Sequence, residues 1–83
     1  MNEKEELKKE LEQELQWVQY RQKMLDIIEE KLMKMKELAE QAKDNNLSPE
    51  EIAVLNAKLN RLAAQVNALD EESRKIELQG IDE

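Results

Sequence analysis

From Leu7 to Ala42, one set of residues returns at alternating intervals of three and four without a slip. The set is Leu7, Leu11, Glu14, Val18, Arg21, Leu25, Ile28, Leu32, Met35, Ala39 and Ala42, apolar at nine of its eleven positions. An interval averaging about 3.5 residues keeps one stripe of a helix turned toward one neighbour, as in a coiled coil. A strand, whose side chains alternate with period two, cannot gather such a set on one face. The same rule resumes through Ile52, Leu55, Leu59, Leu62, Val66, Leu69, Ser73 and Ile76, apolar at seven of eight. The expected fold class is therefore all-α, with two long amphipathic helices. Composition supports this where it matters: the chain has one Gly (Gly80) and one Pro (Pro49), and strong helix formers dominate the rest.

Between the two patterns lies the only break, Asp44-Asn45-Asn46-Leu47-Ser48-Pro49. Asn tolerates left-handed backbone angles, so Asn45 or Asn46 can end the first helix. The second then has a complete start signal. Ser48 stands as N-cap, Pro49 as the first helical residue, and Glu51 three residues on completes a capping box. Leu47 and Ile52 are placed as the hydrophobic staple around it. These signals predict one domain over residues 1–83, with a helix over about 2–44, a turn over about 45–48 and a helix over about 49–79.

So short a connection forces the helices to be adjacent and antiparallel, a coiled-coil hairpin. The loop then sets Ala42 near Ile52, Met35 near Leu59, Leu32 near Leu62 and Ile28 near Val66. The two polar members, Arg21 and Ser73, fall opposite each other, with Asp70 or Glu72 in reach of Arg21. The second helix runs out near Gly80, about opposite Glu14. The first dozen or so residues of the first helix therefore overhang, by roughly 20 Å. Leu7 and Leu11 lie on that overhang without cover from the hairpin.

Charge limits the partners. The net charge is −7, and all of the excess is at the chain ends: −3 over residues 1–15, −4 over residues 70–83, and zero in between. A hairpin brings these ends together as an acidic pole, which repels nucleic acid and anionic lipid. The only basic cluster, Lys31, Lys34 and Lys36, is diluted by Glu29, Glu30 and Glu37. The N-terminus has no apolar region of the signal-peptide kind, and no apolar run approaches a membrane span, so a cytoplasmic protein is expected. Neither a nucleic acid nor a membrane is an expected partner.

Chemistry is poorly provided for. There is no Cys and no His, which excludes disulfides, the usual Cys/His zinc site and the commonest bases. The two Ser, Ser48 and Ser73, have a capping role and a seam position. Adjacent carboxylates such as Glu29 and Glu30 diverge by about 100° on a helix and cannot work as a pair. One Gly cannot make a phosphate-cradling loop. The chain reads as a non-enzymatic protein with no cofactor and no metal.

A second line on the first helix, rotated by about 100° from the seam, runs through Trp17, Tyr20, Met24, Ile27, Lys31 and Lys34, preceded by Glu3, Glu6 and Glu10. It holds the only Trp and the only Tyr, residue types enriched at interface centres. One reading is that Trp17 and Tyr20 merely flank the hairpin core. The other is an interface. Reversed on its own copy, the line sets Glu10 against Lys34, Trp17 against Ile27 and Tyr20 against Met24, as a two-fold axis requires. The expected assembly is an antiparallel homodimer, first helix on first helix, forming a four-helix bundle in which Leu7 and Leu11 also find cover. The function expected is that of a structural or adaptor coiled coil acting through protein–protein contacts. The alternative is a small acidic chaperone or binding module that grips an amphipathic helix of a client protein with the same stripe.

Overall fold

The computed structural model describes the backbone of residues 2–81 and the side chains of residues 2–75. It consists of two helices, α1 (Glu3–Asp44) and α2 (Pro49–Ile81), packed as a hairpin about 68 Å long and 16 × 14 Å across. The described residues contain no strand. The seam role expected for Ile76 lies outside the described side chains.

Each end is fixed by local hydrogen bonds. Asn2 opens α1, its side-chain oxygen accepting from the Glu5 N–H at 2.8 Å. Asp and Glu in a first helical turn oppose the positive end of the helix dipole, and Glu3, Glu5 and Glu6 occupy that turn. At the far end, the Asn45 N–H and its side-chain amide both donate to the Gln41 carbonyl, at 3.2 and 3.0 Å. The left-handed residue expected here is absent. Asn45 is extended, with φ −116° and ψ 141°, and no described non-glycine residue has positive φ. The Asn45 side chain satisfies a last-turn carbonyl itself, so the chain leaves the helix without a left-handed step. At the start of α2, the Glu51 N–H donates to Ser48 Oγ at 3.2 Å, and the Ser48 N–H reaches Glu51 Oε1 at 3.5 Å. Both halves of the capping box are present, the second of them long.

The seam of α2 follows the expected line: Leu55, Leu59, Leu62, Val66 and Leu69 are half-buried and Ser73 is 2% exposed. The Ser73 hydroxyl donates to the Asp70 carbonyl at 2.9 Å, which satisfies a polar group in an apolar line. Ile52 departs from the line and stays exposed.

The seam of α1 departs further. Glu14, Arg21, Ile28, Met35 and Ala42 are half-buried as expected. Between them, however, the helix turns in Trp17, Met24, Lys31 and Leu38, while Val18, Leu32 and Ala39 of the expected column are exposed. Met24 is 5% exposed and Leu38 8%, while Val18 is 64% exposed and Leu32, expected against Leu62, 49%. Leu25 alone of the expected column is half-buried. The helix is rotated about its axis by roughly 50°, half the angle between successive residues.

Side-chain size explains the choice. The two columns flank the same shared column at equal intervals, so periodicity does not separate them. Burying Trp17 in place of Val18 and Leu38 in place of Ala39 removes much more apolar surface from water. Met24 against Leu25 is close to neutral in volume. Only Lys31 against Leu32 opposes the rotation. Lys31 answers this by lying half-buried and donating its Nζ to Gln65 Oε1 on α2 at 2.8 Å, the stem covering apolar surface while the charge keeps a polar partner.

Candidate interaction surface

The residues expected to form one interface stripe are divided by this rotation. Met24 is in the hairpin core and Trp17 is half-buried beside it. Lys31 is engaged with Gln65. Tyr20 and Ile27 remain exposed, at 52% and 42%, on the other edge of the line. Lys34 is exposed and lies 3.8 Å from Glu37, one turn away, a solvated pair of the kind that contributes little to stability. Leu7 and Leu11 are exposed on the overhang.

That overhang follows from helix length. α1 has 42 residues and α2 has 33, which leaves α1 longer by about 14 Å at ~1.5 Å per residue. On this stretch Leu7 and Leu11 share a face with Lys4, Glu5 and Lys8 at its margins, and the face continues through Glu12 and Leu15. All three leucines are more than half exposed.

At the opposite end, two shallow grooves flank the turn. One runs over Leu38, Gln41, Leu47 and Val54. The other has a floor of small and apolar residues, Ala39, Ala42, Ile52, Leu55 and Leu59, with Asn56 at its edge. Leu47 lines both, so the proposed staple residues Leu47 and Ile52 meet around one groove and Ile52 keeps part of its surface open. Ser48 and Glu51 are committed to each other at the helix start.

Between the overhang and the turn, the column displaced from the seam forms a continuous apolar line: Leu11, Val18, Leu25, Leu32 and Ala39. Sequence reasoning found this line but assigned it to the hairpin seam. Leu11, Val18 and Leu32 of this line are exposed, as are Leu15 and Met33 beside it, so α1 carries an extended apolar surface. Large contiguous apolar patches are uncommon on monomeric proteins and mark interaction sites.

Among the described residues no group of three or more His, Cys, Asp or Glu is arranged to hold a metal ion. No helix among them is long and apolar enough to cross a membrane. The Asp70 carboxylate, considered above as a partner for Arg21, takes the Arg74 guanidinium at 3.1 Å. Arg21 is half-buried with its Nε shielded from solvent, and it is engaged within the fold. No protein-family model, no curated protein and no solved structure matches this chain.

Proposed function

We propose that this chain is a non-enzymatic structural or adaptor protein of the cytoplasm that works through protein–protein contacts, two hairpins pairing α1 on α1 in antiparallel to form a four-helix bundle. The observation that carries the reading is the excess of apolar surface on α1. Its apolar arc is wider than α2 can cover, and its N-terminal leucines extend past the end of α2. Burying such side chains on a second chain contributes roughly 1.5–3 kcal/mol each before association costs. An antiparallel arrangement also keeps the two acidic ends apart.

A second reading draws on the overhang itself. Leu7 and Leu11 on a single unaccompanied helix, with Leu15 continuing their face, fit the apolar face of an amphipathic helix from a client protein. Mass in solution separates the two. Light scattering at high micromolar concentration should give twice the chain mass. A monomer at that concentration overturns the homodimer and leaves the surface to a client.

A further inference from the structure

Resting on the homodimer reading, we infer that the dimer is made through the displaced leucine column of α1 and not through the edge that carries Tyr20 and Ile27. Two observations favour this face. The first is apolar continuity. Leu11, Val18, Leu25 and Leu32 recur at every seventh position, and the line passes without interruption onto the overhang. The other edge retains only Tyr20 and Ile27, because Trp17 and Met24 are turned toward α2 and Lys31 is bonded to it.

The second observation is charge. The outer margin of the leucine column is self-complementary when the helix is reversed on a second copy. In one register Glu5 faces Lys43, Lys8 faces Glu40 and Glu12 faces Lys36, each pairing occurring twice about the two-fold axis. The same register sets exposed Leu15 beside exposed Met33. The axis then crosses α1 at about the level of Met24. The overhang of each copy lies along the turn-proximal half of the other, where the Ala39 and Ala42 groove has room for Leu7. A parallel pair in register would set each of these charges against its own kind, which is the repulsive element that selects direction.

The chain has no Cys, so introduced thiols report without background. A Glu12→Cys chain and a Lys36→Cys chain, mixed and treated with a short bis-maleimide, should give a cross-linked dimer that neither gives alone. A mixture of Glu10→Cys and Lys34→Cys chains, which pairing through the Tyr20 and Ile27 edge would set face to face, should stay uncross-linked. Cross-linking of the Glu10/Lys34 mixture without the Glu12/Lys36 product, or no product in any mixture of a protein that remains dimeric, overturns the face. Cross-linking of Glu12→Cys with itself overturns the direction. A wild-type protein of single-chain mass instead defeats the homodimer reading beneath both. As a second measurement, Lys36→Glu should weaken the dimer by roughly tenfold, and Glu12→Lys in the same chain should restore it. Failure of the second change to rescue overturns the register.

Discussion

Trp17, Met24, Lys31 and Leu38 stand on one shoulder of α1, and Val18, Leu25, Leu32 and Ala39 on the other. Each pair of residues is adjacent in sequence, and both columns keep the same distance from the shared line of Arg21, Ile28, Met35 and Ala42. Yet Met24 and Leu38 are in the core while Val18 and Leu32 face solvent. The difference teaches that a partner helix does not select the most uniformly apolar column. It selects the column that removes the most surface from water, and it tolerates one Lys there when its charge finds an amide. The other column is left over, apolar and regular, and its regularity then needs another explanation.

The comparison breaks most sharply at its largest contrast. Met24→Ala should destabilise the folded hairpin by about 2–3 kcal/mol, the cost of emptying a buried site that is partly able to collapse. Leu32→Ala, measured on the single hairpin at low micromolar concentration, should change stability by about 0.5 kcal/mol or less. Denaturant unfolding followed by helical circular dichroism measures both, and equal losses would show that the two shoulders share the seam. A smaller effect sharpens the contrast between the two helix starts. Ser48→Ala should cost about 0.5–2 kcal/mol, because its cap opens a helix that is packed along its length. Asn2→Ala caps a stretch without an α2 neighbour, and should lower the helical signal of the first turn while leaving the unfolding midpoint close to that of the wild type. The smallest change is expected at Lys31→Met, within about 0.5 kcal/mol either way, since the stem's packing is kept and a single exposed-ended hydrogen bond is exchanged for apolar surface. A loss above 1.5 kcal/mol would mean that the Gln65 contact, rather than side-chain size, sets the rotation of α1.

How much could be read in advance differs between the helices. The turn and the start of α2 were legible because Ser48, Pro49 and Glu51 form a signal with one geometry, and a four-residue loop leaves few ways to return. The α2 line was legible because Leu55, Leu59, Leu62, Val66 and Leu69 have no large apolar column on either side, only Asn56, Ala63 and Asp70 on one and Lys58, Gln65 and Glu72 on the other. The face of α1 was not. There, two columns satisfied the same periodicity, and counting apolar residues favours Leu32 over Lys31 and ignores that Trp17 outweighs Val18. The interface residues inherited the error: once Met24 enters the core, the stripe drawn through it can no longer act as one surface. Ile52 shows a smaller case, since the last seam position before a loop has neighbours on one side only.

The four-residue connection has a kinetic consequence as well. Contacts beside the turn, such as those around Ala42 and Ile52, close a short loop, while those at the level of Arg21 and Ser73 require most of the chain to have been ordered. Short closures cost the least entropy, so the hairpin should assemble as a zipper, starting at the capped turn and running outward. Amide exchange would then be slowest around Leu38 and Leu55 and become steadily faster toward the open end. The overhanging turns of α1 would open and close many times during the life of one folded molecule, so whatever binds Leu7 and Leu11 meets a helix that it must help to hold.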